Sequence, residues 1–557
     1  MTALRPRKKL IEVSIPLEAI NKASAREKSI RHGHPSTLHL WWARRPLAAC
    51  RAVLFAQLVD DPSAWPDRFP TEAAVEAERA RLHKVIERLV PWEASNDTTV
   101  LQEARHEIAR SVAWGLGEEP PPPEDAAGTL RYLQEKAPPV YDPFSGGGSI
   151  PLEAQRLGLR AHGSDLNPVA VLIGKALVEI PPRFAGRPPV NPAARATLPA
   201  GGWRGAAGLA EDVRYYGDWM REEAVRRIGH LYPRARLPDG GEATVTAWIW
   251  ARTVRSPDPA AKGAMVPLVS SFLLSVKEGK KTWVEVKVDS TAPEGWRFEV
   301  RSGALAKADE ERLKRGTKSE GRGGGFICVL TGASITGDHV KREGAAGRME
   351  SRLMAIVAEG QRARVYLTPS RSHEEVVEAL VSDGRVIDAR EGGLAQPVPE
   401  RLTGGTCYAY GLTNFASLFT PRQLVALITF SDLVAEARER ILADTRGVDF
   451  LDDLTPLHMD GAGRVAYADA VATYLGFLVD RAADRNCSLC SWDVGASGTR
   501  ASTGGSAKTS SVRNVFARQA IAMNWDFAEA NILSSTSGGV LKALEWIEPA
   551  LRYAPTM

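Results

Sequence analysis

The chain has 557 residues, of which 44% are hydrophobic, and a formal net charge of +4. That length implies two to four domains with ample apolar residues for their cores, and 71 basic against 67 acidic residues permit nucleic-acid binding without demanding it. Five cysteines fit a reducing compartment without a disulfide framework, and no run approaches the roughly 18 apolar residues that span a bilayer, so a cytoplasmic protein with no membrane partner is expected.

In chain order, residues 1–57 form an apolar and aromatic segment that contains Trp41-Trp42-Ala-Arg-Arg-Pro-Leu47 and runs into a helix over 53–58. Residues 58–137 read as a charged helical insertion, with helices within 72–117 and a proline run at 120–123. The pattern over 138–200 is a βαβ unit. It has a strand over 139–141, the glycine turn Asp142-Pro-Phe-Ser-Gly-Gly-Gly-Ser149, a helix over 150–157 that ends at Gly158, and a second strand over 160–163 that delivers Gly163-Ser-Asp-Leu-Asn-Pro168. Prolines 181, 182, 188, 189 and 192 mark a linker, and an amphipathic helix runs from 208 towards 231. Within an inserted module over 201–404 the period changes to two, with strand-like runs at 244–250, 283–288, 297–300 and 326–330. Helices return over 405–557, including 421–428 and 468–482, and the Gly/Ser/Thr tract 495–511 reads as a loop.

The βαβ unit carries both ends of a nucleotide-cofactor pocket. Its glycine turn lets backbone approach a ligand closely, and Asp165 lies about 20 residues on, where a carboxylate can accept both ribose hydroxyls. Asn167-Pro168 starts the next helix, with Pro where its missing N–H costs nothing. The bland alternative is a loop glycine triplet with Asp165 as a helix cap. The turn lacks the G-x-G-x-x-G spacing that seats a pyrophosphate on a helix N-terminus, and has Asp142-Pro143-Phe144 instead.

That turn, the segment His32-Gly-His-Pro-Ser-Thr-Leu-His-Leu-Trp-Trp-Ala-Arg-Arg-Pro-Leu47 and Gly163-Ser-Asp-Leu-Asn-Pro168 resemble the N-terminal part of the adenine-specific DNA methylases that contain a zinc ribbon. Later segments match in the same order: Leu418-Phe-Thr-Pro-Arg-Gln423, Phe430-Ser-Asp-Leu-Val434 and Asn524-Trp-Asp-Phe-Ala-Glu-Ala-Asn531. The resemblance implies an α/β, Rossmann-like S-adenosylmethionine-dependent methyltransferase with an inserted β-rich module and helical additions. It would act on double-stranded DNA in restriction-modification or phage defence, with other defence subunits as further partners. Asp142 would sit near the methionine amino group, Gly146, Gly147 and Gly148 would let backbone pass under the cofactor, Asp165 would hold the ribose, and Pro143, Phe144 and Asn167 would complete the cofactor-binding set. Pro35, Ser36, His39, Trp41 and Trp42 have the chemistry to close over a sulfonium cation. Arg44 and Arg45 could meet phosphate, as could Lys280 and Lys281 with Lys277, Lys314, Arg315 and Lys318 in the inserted module. The competing reading makes the tryptophans core, the arginines helix caps and the lysine run a solvated face.

Two departures stand beside the resemblance. Where it implies paired Cys ligands, near 253–263 and 327–332, the chain has only Cys328, with Ser256, Ala261 and Thr331 at the plausible ligand positions. A tetrahedral zinc site needs four ligands, so a degenerate ribbon without metal is expected, and Cys487-Ser-Leu-Cys490 lacks a second pair. The exocyclic amine of adenine is a poor nucleophile, and such enzymes hold it with an acceptor-Pro-Pro-aromatic motif. The nearest matches here, Ile180-Pro-Pro-Arg-Phe184 and Ala137-Pro-Pro-Val-Tyr141, lack the acceptor, and the Asp-Pro-Pro-Tyr segment expected after 524–531 is not reached by Met557. Catalytic residues are therefore unassigned. Three readings follow: the cofactor-binding part of a split methyltransferase completed by a second polypeptide with Asp-Pro-Pro-Tyr, a non-catalytic DNA- or cofactor-binding subunit, or a remnant. An NAD-dependent oxidoreductase also stays open, with the Asp142-Pro-Phe turn against it.

Overall fold

The computed structural model describes residues 7–30, 32–195, 199, 202–277, 279–319, 324–361, 363–402, 405–451, 453–495, 510–516 and 520–555. Most of the tract expected to loop over 495–511 lies outside the described residues. The chain divides into two compact units, the first made of 1–215, 438–474 and 546–557, the second of 216–437 and 475–545.

The first unit is mainly helical, with α1 (Leu17–Glu27), α2 (Leu47–Leu58), α3 (Glu72–Leu89), α4 (Thr98–Leu116) and α5 (Ala126–Lys136) preceding the strand β1 (Val140–Asp142). Then come α6 (Ser149–Arg156), β2 (Ala161–Gly163) and α7 (Pro168–Val178). Helix boundaries follow local chemistry: Thr71, Asp97 and Asp125 accept N–H bonds as N-caps of α3, α4 and α5, and Gly117 ends α4 in the left-handed region. Phe55, Val85, Ile86, Ile108, Leu133, Ala154 and Leu157 pack in one core, so the helices of the stretch 58–137 share a core with α2 and α6. β1 and β2 pair in parallel, Val140 opposite Ala161 and Asp142 opposite Gly163. This is the βαβ unit expected from the sequence, but within the described residues its sheet has two strands only.

The second unit holds the β-rich module. Its strands are β3 (Ala235–Arg236), β4 (Glu242–Ala243), β5 (Val245–Arg255), β6 (Met265–Leu268), β7 (Leu273–Ser275), β8 (Lys281–Val288), β9 (Trp296–Gly303), β10 (Phe326–Ile327), β11 (Ser334–Ile335), β12 (Glu350–Ala358), β13 (Val365–Leu367), β14 (Trp492–Asp493), β15 (Ser511–Val512) and β16 (Asp526–Ala530). The main sheet runs β13-β12-β5-β16 with β6 also on β5, all antiparallel, and β7-β8-β9 form a second sheet. β5 is buried over ten consecutive residues because neighbours cover it on both edges and both faces. β16 lies far beyond the expected module boundary at 404, in a stretch expected to be helical. Short strands gain their partners from tertiary context, which a local pattern does not report.

One buried charge cluster pins this sheet. The Arg422 side chain donates to Glu529 Oε1 at 2.9 Å, the Thr420 hydroxyl to the same oxygen at 3.0 Å, and the Trp250 indole to Glu529 Oε2 at 2.8 Å. Arg422 also lies 3.8 Å from the Trp248 ring centre. Two of the segments that carry the family resemblance, 418–423 and 524–531, therefore meet as a structural joint. Glu529→Ala should cost about 3–5 kcal/mol in chemical denaturation because it strands a buried guanidinium, while the pair Arg422→Met with Glu529→Leu should recover most of the loss.

Asp526, which accepts the Ser270 N–H at 2.6 Å, is pushed up to about 6 by burial, against the pull of the Ser270 bonds and Lys318. The folded chain thus holds this proton more tightly than the unfolded chain, whose Asp titrates near 3.9. Its contribution to stability is complete below about pH 4 and is lost as pH rises to about 6. Asp526→Asn should remove that decline from the curve of unfolding midpoint against pH.

Candidate functional site: the glycine turn and its buttresses

The turn between β1 and α6 is held from behind by one helix with two clamps. Glu153 of α6 accepts Arg51 Nε of α2 at 2.5 Å and also pairs with Arg156, all three side chains being buried. Arg51 Nη1 donates to the Leu89 carbonyl at 2.7 Å and Nη2 to Ser95 Oγ at 2.8 Å. Arg105 of α4 donates twice to the Arg156 carbonyl, at 3.0 and 2.6 Å, closing the C-terminal end of α6. The helix that begins at the glycine turn is thereby fixed in position.

The front of the turn meets the segment 32–47. Arg44 Nη1 donates to the Gly147 carbonyl at 2.8 Å and Nη2 to the His39 carbonyl at 3.2 Å, and burial pulls its pKa down to about 10. Ser149 Oγ donates to the Arg45 carbonyl at 3.0 Å. A Cβ on Gly146 would lie 2.7 Å from the Trp41 indole nitrogen, so the indole rests on the glycine backbone. Sequence reasoning placed Arg44 with Arg45 as phosphate contacts. The structure turns Arg44 inward as a strut of the turn and leaves Arg45 exposed.

The segment itself is anchored. Glu27 of α1 accepts the Leu47 and Ala48 N–H groups at 2.8 and 2.7 Å, capping α2 where Pro46 offers no side-chain acceptor. Pro35 and Ser36 sit in a single 3-10 turn whose cap is His34, with His34 Nδ1 and Ser36 Oγ 2.7 Å apart. The Thr37 hydroxyl lies within hydrogen-bonding distance of the His34 and Trp546 carbonyls, 2.7 and 3.1 Å away, and His32 stacks on Trp546 at 5.5 Å.

At the C-terminal ends of the strands lie the two carboxylates. Asp165 Oδ2 accepts the Gly146 N–H at 2.8 Å and Oδ1 the Asn167 N–H at 2.9 Å, and these main-chain bonds, that of Asn167 first, hold its pKa below the usual range. Asn167 in turn caps α7 through the Val169 N–H. Asp142 Oδ1 accepts the Phe144 N–H at 3.1 Å. Phe144 and Leu166, beside these carboxylates, are 86% and 100% exposed. A carboxylate has about four lone-pair sites, so each Asp keeps acceptor capacity for a ligand. Asp142, Pro143, Phe144, Gly146–Gly148, Asp165, Asn167 and Trp41 are thus brought together, with Pro35 and Ser36 on the same anchored segment.

The other predicted residues are in the second unit. Lys281 pairs with Glu310 at 2.6 Å and Lys314 with Glu310 and Glu311 at 3.0 and 2.9 Å, so these two lysines of the run are balanced locally. Lys280 is held through its main-chain N–H, which donates to the Lys277 carbonyl at 3.0 Å. The degenerate ribbon positions converge in part. Ser256 Oγ donates to Cys328 Sγ at 3.3 Å, and hydrogen bonds from Ser256 and Thr331 pull the Cys328 thiol down against burial, which pushes it up. Cys487, with Cys490 and Cys407, lies in an apolar core, where burial raises each thiol, Cys487 to about 12. Among the described residues no group of three His, Cys, Asp or Glu side chains is placed to hold a metal ion, and no described helix is long and apolar enough to cross a membrane.

Gly146 and Gly148 both have positive φ, +50° and +72°, but a Cβ at 148 meets nothing closer than 3.5 Å. Gly148→Ala should therefore cost about 1–2 kcal/mol from backbone strain alone. Gly146→Ala should cost more and shift the tryptophan emission, because the Trp41 indole must move.

Residues 14–85, which include the anchored segment and α2, match a family described as "Protein of unknown function (DUF1156)". No curated protein and no solved structure matches the chain.

Proposed function

We propose that the chain is the cofactor-binding part of an S-adenosylmethionine-dependent DNA methyltransferase of Rossmann-like α/β fold. Its target is an exocyclic base amine, adenine's in the first place, and it works with a second polypeptide that supplies the acceptor-Pro-Pro-aromatic motif. The observation that carries this reading is the convergence of three distant stretches, 35–44, 142–148 and 165–167, on one turn at the C-terminal ends of two parallel strands, where ligands bind in open α/β folds. The residues fit the cofactor: two carboxylates with spare acceptor capacity suit an amino group and ribose hydroxyls, and uncovered Phe144 and Leu166 suit the face of a base. S-Adenosylmethionine would supply an activated methyl group on a sulfonium.

In this reading Asp165 orients the ribose while its bonds to Gly146 and Asn167 keep it ionised, and Asp142 meets the amino end. Trp41 and Arg44 hold the turn in shape from its other side. Transfer needs a polar acceptor for the amine hydrogens and a ring to stack on the flipped base, and the second polypeptide brings both. The restriction-modification or phage-defence setting and a cytoplasmic location rest on the sequence resemblance and composition. A non-catalytic DNA- or cofactor-binding subunit is the second reading, in which the same carboxylates at 142 and 165 bind the cofactor without transfer.

Asp165→Ala should weaken S-adenosylmethionine binding at least about tenfold, roughly 1.4 kcal/mol, by calorimetry, with the chain still folded; unchanged affinity removes Asp165 from the site. Labelled methyl transfer to unmethylated DNA should require both this chain and the polypeptide encoded immediately downstream. Cofactor and DNA binding without transfer in that mixture would favour the second reading.

A further inference from the structure

We infer that β1 and β2 are part of a larger parallel sheet, which a partner polypeptide completes by laying a parallel strand along the free edge of β2. This deepens the split-enzyme reading and rests on it for the partner's identity alone. Parallel ladders are ordinarily covered on both faces. Here Tyr141, in the middle of β1, is 64% exposed, and His162 beside it in register is exposed as well. Successive side chains alternate, so these two share one bare face. The opposite face is the covered one, since a Cβ on Gly163 would lie 3.1 Å from Pro151 of α6.

Among the described residues the edge of β2 is open too. The Val140 N–H donates to the Arg160 carbonyl and the Ser164 N–H to the Asp142 carbonyl, both at 2.9 Å. The alternation of the ladder then directs the N–H and C=O of Ala161 and Gly163 away from β1. They face a groove of about 600 Å³ between α6 and α7, whose walls include Pro151, Leu159, Val171 and Val178. A slot with main-chain donors and acceptors in a row along its floor, and walls that mix apolar side chains with Gln134, Gln155 and Glu179, matches an extended strand. A small molecule would satisfy at most part of the floor and leave the Tyr141–His162 face bare.

Charge specifies the occupant further. Arg160 lines the groove and donates to the Ala137 carbonyl at 3.3 Å, and no carboxylate pairs with it among the described residues. Lys175, also on the wall, is matched by Glu179 at 2.8 Å. The groove therefore has an excess positive charge, and the strand that fits it is apolar with an acidic residue opposite Arg160.

Hydrogen exchange of the full chain, alone and mixed with the polypeptide encoded immediately downstream, tests this. The Ala161 and Gly163 amides should exchange freely in the chain alone and slow by about tenfold or more in the mixture. Tyr141→Glu and His162→Glu, at exposed side chains, should abolish that protection and co-purification of the two polypeptides with no change in thermal unfolding of the chain alone. Protection already present in the isolated monomer would show that another part of this chain fills the groove. Protection that grows with the concentration of the chain alone would assign it to a second copy. Either result, or no protection in the mixture, overturns the inference. Calorimetry with S-adenosylmethionine on the same samples separates the two claims: cofactor binding without strand protection sinks only the docking surface, and protection without cofactor binding sinks only the methyltransferase reading.

Discussion

The buried carboxylate of Glu153, held between Arg51 and Arg156, is the interaction on which the first unit depends. Desolvating three charges is costly, and such a cluster persists only where geometry and extra hydrogen bonds compensate. Here the Leu89 carbonyl, Ser95 and Glu153 Oε2 each accept one Arg51 N–H. The cluster does more than offset its own desolvation. It fixes α6 against α2, and the first turn of α6 is the last turn of the glycine loop, so the loop inherits a position decided in the core. A loop with positive-φ glycines has little preference of its own, and rigidity has to be supplied from outside.

The same logic extends to the front of the turn. Arg44, Trp41 and the Ser149 hydroxyl join the segment 35–47 to the loop, and Glu27 joins that segment to α1. Two of these anchors are side chains that do the work of backbone: Glu27 caps a helix twenty residues away, and Asp165 ties Gly146 to the start of α7. A ligand that engaged the free lone pairs of Asp165 would add to bonds already made, so the carboxylate would not have to reorganise in order to bind. Preorganisation of that kind is what a cofactor site requires.

Much of this was legible in the sequence. The glycine turn, the strand before it, the helix after it and the placement of Asp165 all come from local pattern, and each appears within a residue or two of expectation. The role of Arg44 was not legible, because an arginine beside a Trp pair reads equally as a phosphate contact, and only the third dimension shows the Gly147 carbonyl within reach. The place of Asp526–Ala530 in the main sheet was hidden for a similar reason, since five residues with one apolar alternation carry little signal until β5 is beside them. The resemblance to known methylases pointed to 418–423 and 524–531 as marked segments without saying why. In this chain the Arg422–Glu529 contact joins the two segments.

The inserted module illustrates the limit of reading charge from sequence. Lys281 and Lys314 look like two members of a phosphate-binding face until Glu310 is seen to bridge them and Glu311 to pair with Lys314. A surface neutralised in this way offers DNA little counterion release, and a nucleic-acid contact built on it would have to break existing ion pairs first. Half-exposed pairs of this type contribute on the order of 1 kcal/mol each, a loss that phosphate contacts made in their place would have to offset. Lys280, Lys277 and Arg45 are the positions where a backbone contact costs less.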